Sequence, residues 1–248
     1  MVHRTRRPRD PLLPEQGREA ELSGIDPREA VRLQRALAPR VERVAPAGFA
    51  PRTATGLDVA YATGTDTDTG SNTVVAAAVT VDLATGAEVG AATAVGEATF
   101  PYQTGLFAFR ELPTLLLALG RLAEPPELLV ADGHGVAHPR RFGLASHLGV
   151  VTGLPAIGVA KTPLGRFDPP GPGRGATSPL VLDGEEVGVA LRTRAGVKPV
   201  FVSVGHRIDL ASACRYVLAL ANCFRLPETT RLADRRCREV LRGLEIEP

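Results

Sequence analysis

The chain has 248 residues, of which 44% are hydrophobic and 23% charged, and its formal net charge is +2. This composition is typical of a folded globular protein and argues against a disordered chain, while so small a net charge does not by itself indicate a nucleic-acid partner. No apolar run reaches the roughly 18 residues needed to span a bilayer, and the first residues lack the apolar core of a secretory signal, so we expect a cytoplasmic protein without a membrane partner.

The N-terminal segment differs in composition from the rest of the chain. Residues 1–25 are rich in Arg, Pro and Glu without sustained periodicity, which predicts a mobile tail. Residues 26–248 have a length that suits one core, so we expect a single domain there. Three cysteines without a Cys-x-x-Cys pair argue against a disulfide framework or a zinc ribbon, and we interpret them as ordinary helix residues.

The first predicted elements are a helix over Pro27–Ala38 and three strands. The strands cover Ala54–Tyr61, Thr73–Leu83 and Glu88–Ala98, and the first two are separated by the turn-rich segment Thr63–Gly70. Because the connections are short, these strands are expected to form an antiparallel meander.

The apolar spacing then becomes helical over residues 106–119, where Pro113 is expected to kink or restart the helix. Two short, wholly apolar runs follow, Leu128–Ala131 and Ala156–Ala160, and a helical stretch over Ala145–Thr152 lies between them. Runs of this kind are typical of strands buried on both faces of a sheet. We therefore predict a parallel β-α-β unit.

The last part of the chain combines a loop, a hairpin, a strand and two helices. The loop covers Leu164–Ser178, the hairpin turns at Asp183-Gly184, the strand lies near Pro199–Val204, and the helices lie near Leu210–Cys223 and Glu228–Leu244. A three-strand meander, a helix and then parallel strands alternating with helices is the order of a ribonuclease H-like α/β fold with a mixed sheet. That is the fold class we predict.

Three carboxylates in these elements suggest a metal site. Asp58 interrupts an apolar strand, where a carboxylate is costly to bury unless a cation or hydrogen-bond donors compensate it. Asp132 follows a buried parallel strand, at the end where open α/β sheets place their ligands. Glu111, on the intervening helix, would add a third oxygen. Hard oxygen ligands of this kind suit Mg²⁺ or Mn²⁺, which can support phosphodiester hydrolysis.

Each of these residues also has an ordinary structural interpretation. Asp58 could be a turn or surface residue, Asp132 could cap the segment after its strand, and Glu111 could be a solvated helix residue. A zinc site formed by His134 and His138 is the weaker alternative, because the flanking glycines and proline disfavour the regular helix that this spacing would need.

Longer motifs make the sequence similar to a known family. Residues 132–149 read DGHGVAHPRRFGLASHLG, which closely resembles the signature loop and helix of endonuclease V. Four further segments match the family in the same order along the chain. They are GLDVAY at 56–61, PY at 101–102 with GLFAFRE at 105–111, IGVAK at 157–161 and VFVSVGH at 200–206. The resemblance covers roughly residues 30–235. It implies a magnesium-dependent endonuclease, with Mn²⁺ as a substitute metal, that acts in DNA repair and cleaves the second phosphodiester bond 3′ to a deaminated purine such as deoxyinosine.

The same resemblance assigns roles to individual residues. It implies that Asp58 and Asp132 bind the metal and that Glu111 completes the acidic site. It also places His138 and Lys161 in the active site. There a lysine ammonium could contact the scissile phosphate or orient the water, and an imidazole could bind phosphate or relay a proton.

Tyr102 matches the wedge that the family inserts into the duplex beside the lesion. An aromatic face stacks on bases, and unstacking costs least at a mispaired base, so wedge and lesion together favour base extrusion. The family commonly reads Pro-Tyr-Ile-Pro-Gly, whereas residues 101–105 read PYQTG. Without the second proline the loop is expected to be more mobile, and Gln103 offers hydrogen bonds where an apolar residue would pack. The alternative is that Tyr102 is a half-buried loop aromatic.

Further nucleic-acid contacts are predicted at Gly105, Gly135, Arg140 and His206. Other basic residues in loops could border the site and contact phosphates, which would make binding depend steeply on salt: Arg141, Arg166, Arg174, Arg192, Arg194, Lys198 and Arg207. The glycines between residues 171 and 175 lack the Gly-Lys-Ser/Thr of a nucleotide-binding loop, so no ATP site is expected.

Two other functions stay open at this point. The first keeps the chemistry but takes inosine-containing RNA, because nothing in the sequence reports tolerance of the 2′-hydroxyl. The second is a protein that binds damaged nucleic acid without cutting it. Intact acidic residues together with Lys161 argue against the second. We expect DNA with deaminated bases as the partner of a monomeric protein.

Overall fold

The computed structural model describes residues 25–62 and 72–246. Nearly all of the predicted N-terminal tail, and the predicted turn at residues 63–70, lie outside this part of the chain. In chain order, the elements are α1 (Pro27–Leu37), a 3₁₀ turn (Ala38–Arg40), β1 (Thr53–Tyr61), β2 (Thr73–Asp82), β3 (Glu88–Glu97), α2 (Phe107–Gly120), β4 (Leu129–Asp132), α3 (Leu144–Thr152), β5 (Ala156–Ala160), β6 (Thr177–Leu182), β7 (Glu185–Leu191), β8 (Val200–His206), α4 (Leu210–Leu220) and α5 (Glu228–Ile246).

Eight strands of the described chain form one mixed sheet in the order β3-β2-β1-β4-β5-β8-β7-β6. The predicted meander is confirmed, since β1 pairs with β2 and β2 with β3, both antiparallel. The predicted β-α-β unit is confirmed as well, because β4 pairs in parallel with both β1 and β5. Beyond β5 the sheet turns antiparallel through β8, β7 and β6.

Helices cover both faces of the sheet. Side chains from α1, α2 and α3 pack with Leu57 and Ala131 on one face. On the other face, α4 packs with Ala54 and Val130, and α5 packs with alternate residues of β2. Successive side chains of a strand point to opposite faces, so the central strands are mainly apolar on both faces. None of the described helices is long and apolar enough to cross a membrane.

Helix α1 begins where the sequence predicts. The carboxylate of Asp26 accepts hydrogen bonds from the amides of Arg28 and Glu29, at 2.7 and 2.9 Å, and a proline occupies the first helical position. Such a cap satisfies amides that the first turn of a helix leaves without partners. The helix buries only Ala30 and Gln34 against the rest of the protein.

Three local predictions need correction. Helix α2 continues through Pro113 without restarting, because its buried leucines pack on the sheet and outweigh one lost hydrogen bond. Helix α4 ends at Leu220, so Cys223 is an exposed residue outside the helix, whereas Cys214 and Cys237 are helical. The predicted loop 164–178 is shorter, since β6 begins at Thr177.

Candidate active site

Asp58 and Asp132 lie at adjacent positions of neighbouring strands. In the parallel pairing of β1 with β4, Leu57 is the register partner of Ala131, and each aspartate follows directly. Leu57 and Ala131 both point toward α2. Because side chains alternate along a strand, both carboxylates point to the opposite face, toward α5.

The two carboxylates line one cavity and repel each other. Burial, and next the negative charge of Asp132, raise the pKa of Asp58 to about 8. The amide of Val59 donates to Asp58 Oδ1 at 2.8 Å and opposes this shift only in part, as does the charge of Lys161. A buried acid with this pKa is protonated at neutral pH unless a cation compensates its charge.

Lys161 supplies a cation to this pair of acids. It follows the last residue of β5, and its Nζ donates to Asp132 Oδ2. Burial lowers the pKa of Lys161, but the hydrogen bond and charge of Asp132 outweigh that effect and raise it above its ordinary value. The guanidinium of Arg225 holds the backbone here, donating to the Lys161 carbonyl at 3.1 Å.

Glu111 approaches from the other face of the sheet. The Tyr61 hydroxyl donates to Glu111 Oε1 at 3.3 Å, and burial raises the pKa of this glutamate to about 7. Within residues 25–62 and 72–246, no three Asp, Glu, His or Cys side chains are arranged to hold a metal ion. The predicted convergence of Asp58, Glu111 and Asp132 is therefore not observed, because Glu111 turns to Tyr61 and Asp132 to the lysine.

Sequence reasoning missed Asp234, on α5. It lines a cavity of about 350 Å³ together with Asp58, Asp132 and Lys161, here called the acidic cavity, which three arginines of α5 also border. The charge of Asp234 helps to raise the pKa of Asp58. Arg238, one turn along the helix, donates to Asp234 Oδ1 at 2.9 Å. In the sequence this aspartate stands among many charges of an amphipathic helix, next to the apolar Ala233, and nothing there distinguishes it from its charged neighbours.

Gly56 explains why α5 approaches β1 so closely. A Cβ atom at this position would lie 2.2 Å from the carbonyl carbon of Thr229, at the start of α5. Only glycine leaves room for the helix backbone there. The glycine therefore brings Asp234 to the side of the sheet toward which Asp58 points.

A second cavity, of about 360 Å³, adjoins the first and shares Asp132 and Lys161 with it. Its walls come from α1, the start of α2 and the residues before it, the loop between β4 and α3 with the start of α3, and the end of β5 with the residues after it. They combine apolar side chains with a few polar groups, among them Gln34, Gly105, Phe107, Glu111, His138 and Leu144. Concave sites of this composition suit flat, partly polar ligands such as a nucleobase.

His138 lies in this second cavity, apart from Asp58. Burial, and next the charge of Arg140, lower the pKa of His138 to about 4. Its Nδ1 accepts from the Arg140 amide at 3.2 Å, and its Nε2 lies 3.0 Å from the carbonyl oxygen of Gly105. These partners fit a neutral ring that carries its proton on Nε2. A neutral, anchored imidazole suits positioning better than the proton relay considered from the sequence.

Tyr102 stands at the rim of the second cavity. Its side chain is 67% exposed, and its ring packs edge-on against Phe107 with 4.9 Å between centroids. The alternative of a half-buried loop aromatic is therefore wrong. Gly105, at the end of the same loop, has a φ of +79°.

Two of the residues assigned to nucleic-acid contacts are buried. The Gly135 amide donates to Ser203 Oγ at 2.8 Å, and a Cβ atom there would lie 2.0 Å from the carbonyl oxygen of Val204, so this glycine permits close packing. His206 pairs in register with Ala156, at the end of β5 opposite Lys161. His206 is therefore not part of this site, because β8 runs antiparallel to β5.

Several of the other predicted phosphate contacts are engaged within the protein. Arg141 pairs with Glu185 at 2.7 Å, and Arg207 pairs with Glu42 at 3.4 Å. Arg192 donates to three backbone carbonyls. These arginines hold loops in place. Arg166 and Lys198 are exposed.

Residues 35–235 match the family described as Endonuclease V. The chain belongs to the Endonuclease V family. It is 60% identical over 189 residues to Endonuclease V of Streptomyces avermitilis, covering 76% of this chain and 80% of that protein. It is 53% identical over 215 residues to Endonuclease V of Nocardia farcinica, covering 87% and 92%.

Solved structures of Endonuclease V proteins share the fold. The crystal structure from Streptomyces avermitilis matches with a TM-score of 0.81 and 54% identity, covering 89% of this chain and 95% of that one. Human Endonuclease V, solved as its catalytic domain, matches with a TM-score of 0.79 and 31% identity, covering 95% and 100%. The predicted ribonuclease H-like α/β fold is thus confirmed, and membership of this family makes the chain an endonuclease that hydrolyses phosphodiester bonds.

A further Endonuclease V structure, from Ciona intestinalis, is a complex with a 24mer DNA containing an inosine followed by a ribo-adenosine. It matches with a TM-score of 0.73 and 24% identity, covering 88% of this chain and 98% of that one. At 24% identity, the match shows only that the two folds are similar.

Proposed function

We propose that this endonuclease acts in DNA repair and cleaves the second phosphodiester bond 3′ to deoxyinosine, with Mg²⁺ as its metal and Mn²⁺ as a substitute. One observation carries the proposal. The acidic cavity and the second cavity meet at a shared wall formed by Asp132 and Lys161. An extruded base and the backbone to be cut can therefore contact the same two residues from opposite sides. The choice of lesion rests on the resemblance of residues 132–149 to the signature of the Endonuclease V family, to which the chain belongs.

Asp58 and Asp132 are the residues of the acidic cavity that we expect to hold a divalent cation, since within residues 25–62 and 72–246 no third Asp, Glu, His or Cys side chain is arranged to complete a site. Asp58, Asp132 and Asp234 face one space, and the pKa of Asp58 is raised to about 8 by burial and by its acidic neighbours. Carboxylates that repel one another in this way are stabilised by a hard cation with open positions. When bound, the metal would supply positive charge that stabilises the phosphate oxygens during hydrolysis.

The remaining polar residues have distinct tasks in this proposal. Lys161 keeps its charge at neutral pH, because its pKa is raised, and its ammonium contacts the scissile phosphate beside Asp132. Glu111, whose pKa is about 7, lines the second cavity together with Asp132 and can orient the attacking water or accept its proton. Tyr102, at the rim, stacks on the bases that flank the extruded nucleotide.

The test is a cleavage assay with end-labelled oligonucleotides that carry one hypoxanthine, in duplex DNA, single-stranded DNA and RNA, with Mg²⁺ or Mn²⁺. We expect a single cut in DNA, one nucleotide beyond the lesion on its 3′ side. Asp132→Asn should reduce the rate by at least about a hundredfold, because it removes a charge on which both the metal and Lys161 depend. Glu124→Gln is the matched control, since Glu124 is exposed and precedes the opposite end of β4.

Each other outcome points to a different function. Cutting of RNA but not of DNA would make the protein an inosine-specific endoribonuclease. Selective binding of the lesion without cutting, under either metal, would make it a binding protein for damaged nucleic acid. Full activity of Asp132→Asn would overturn the metal assignment.

A further inference from the structure

The loop that carries Tyr102 is anchored at one backbone oxygen. Residues 101–104 are all exposed, whereas the carbonyl oxygen of Gly105 lies near three side-chain donors. Arg140 Nη2 donates to it at 2.7 Å and Gln34 Nε2 at 3.1 Å, and His138 Nε2 lies 3.0 Å away. The position of the wedge is therefore fixed from its C-terminal side.

Gln34 connects three of the segments around the cavity: α1, the wedge loop and the loop before α3. Its Nε2 also donates to the Phe142 carbonyl at 3.0 Å, and its Oε1 accepts from Arg140 Nε. The side chain is 1% exposed, and it belongs to α1. Both amide hydrogens and the amide oxygen are thus used, and they tie α1 to the wedge loop and to the loop before α3.

Burying a side-chain amide lowers the stability of the fold unless its hydrogen bonds are satisfied. Every hydrogen-bond partner of Gln34 belongs to one of the two loops that border the second cavity. A carbonyl oxygen has two lone pairs, so three donors exceed what Gly105 can accept fully. Arg140 and His138 sit on the loop between β4 and α3, whereas Gln34 sits on a helix capped by Asp26. Through Gln34, helix α1 therefore anchors the hydrogen bonds that join the two loops.

We propose that Gln34 is a positioning residue of the reaction: it holds the wedge loop at a set distance from the loop before α3, and so fixes the orientation in which Tyr102 enters the duplex. This inference rests on the proposed function, since it concerns the extrusion of the base. Gln34 does not line the acidic cavity. Its loss should weaken the capture of the lesion without affecting the metal.

The first experiment measures the loop itself and does not depend on activity. Because the chain contains no tryptophan, Tyr102→Trp introduces a single fluorescent reporter in the wedge. We expect the fluorescence anisotropy of this reporter to fall when Gln34→Met is added. Thr152→Val is the matched control: it also removes a buried side-chain hydrogen bond, to the Leu148 carbonyl at 2.7 Å, but at the far end of α3.

The second experiment measures cleavage of duplex DNA that carries one hypoxanthine. Gln34→Met should raise KM about tenfold, because two donated hydrogen bonds are lost, while kcat changes by less than about threefold. Gln34→Glu retains the contact with Arg140 but loses both donors, and should act in the same direction if Gln34→Met folds poorly. Thr152→Val should leave KM within about twofold, whatever its effect on thermal stability.

A double-mutant cycle separates positioning from a merely structural role. If Gln34 acts through the wedge, the effect of Gln34→Met on KM should largely disappear in a Tyr102→Ala background. Independent effects that multiply in the double variant would overturn the inference, and so would unchanged anisotropy of the Tyr102→Trp reporter. If the unmodified protein cuts no inosine-containing strand, the proposed function fails, whereas the anisotropy still tests the anchor.

Discussion

At Asp58, burial and the charge of Asp132 raise the pKa from an ordinary 3.8 to about 8. Between these values the folded protein binds one proton more than the unfolded chain. Without metal, stability should therefore fall as the pH rises through this range. The acid is retained at a cost to the fold, as expected of a residue that serves a bound cation.

The first prediction concerns the stability that the folded protein loses when buried Asp58 is deprotonated. In the presence of a chelator, Asp58→Asn should be more stable than the unmodified protein at pH 8, by roughly 1–3 kcal/mol, because it has no proton to lose. At pH 5 the two proteins should differ much less. Urea unfolding at both pH values is the measurement, and Glu124→Gln serves as the control. Parallel stability curves for Asp58→Asn and the unmodified protein would contradict the raised pKa.

The second prediction concerns Asp234. Asp234→Asn should reduce cleavage at least about tenfold and raise the Mg²⁺ concentration needed for half-maximal rate, because a charge that faces the acidic cavity is removed. Glu239→Gln is the matched control on the same helix, since Glu239 pairs with Arg235 at the surface. A magnesium titration of initial rates tests this. Equal titration curves for the two variants would exclude Asp234 from the site.

At the scale of elements, the active site depends on how closely α5 packs against β1. The helix reaches the strand over Gly56, where a Cβ atom would lie 2.2 Å from the Thr229 backbone. Helix position and carboxylate position are thus coupled. The strand supplies Asp58, and the helix supplies Asp234.

The third prediction tests this coupling. Gly56→Ala should lower the free energy of unfolding by about 2 kcal/mol and weaken the response to Mg²⁺, since the helix must move to accept the methyl group. Gly90→Ala is the matched control in β3, where an added Cβ meets only the Thr80 Cβ at 3.9 Å. Urea unfolding and the magnesium titration should both separate the two variants. If Gly56→Ala behaves like Gly90→Ala, the close approach is not required.

At the scale of the whole molecule, metal binding and folding are linked. A cation that binds the folded chain but not the unfolded chain raises the melting temperature. Because Asp58 must lose its proton to compensate a metal charge, the linkage depends on pH. The acidic cavity joins β1, β4 and α5, so the linkage concerns the central fold.

The fourth prediction follows from that linkage. Saturating Mg²⁺ should raise the melting temperature of the unmodified protein more at pH 8 than at pH 6, because the proton on Asp58 competes with the metal below pH 8. Circular dichroism melts with and without Mg²⁺ measure this difference. For Asp58→Asn, Mg²⁺ should raise the melting temperature only slightly, and by the same amount at both pH values. If the rise in melting temperature caused by Mg²⁺ becomes smaller as the pH increases, Asp58 is not a metal ligand.

Much of the fold could be predicted from the sequence, since alternation and helical spacing are local. The meander, the β-α-β unit and the pairing of Asp58 with Asp132 at neighbouring strand positions all follow from short segments and from the rule that ligands gather at the carboxyl ends of parallel strands. The family resemblance pointed to the same residues.

What only the tertiary structure decided is which end of the sheet, and which face, each side chain occupies. His206 lies at the wrong end because β8 runs antiparallel to β5, and Glu111 approaches from the face opposite Asp58. Asp234 looks like any charge of an amphipathic helix until α5 is docked over a glycine. The physical reason is that periodicity fixes the inward and outward sides of one element, whereas strand order, strand direction and helix docking arise from packing between elements far apart in sequence.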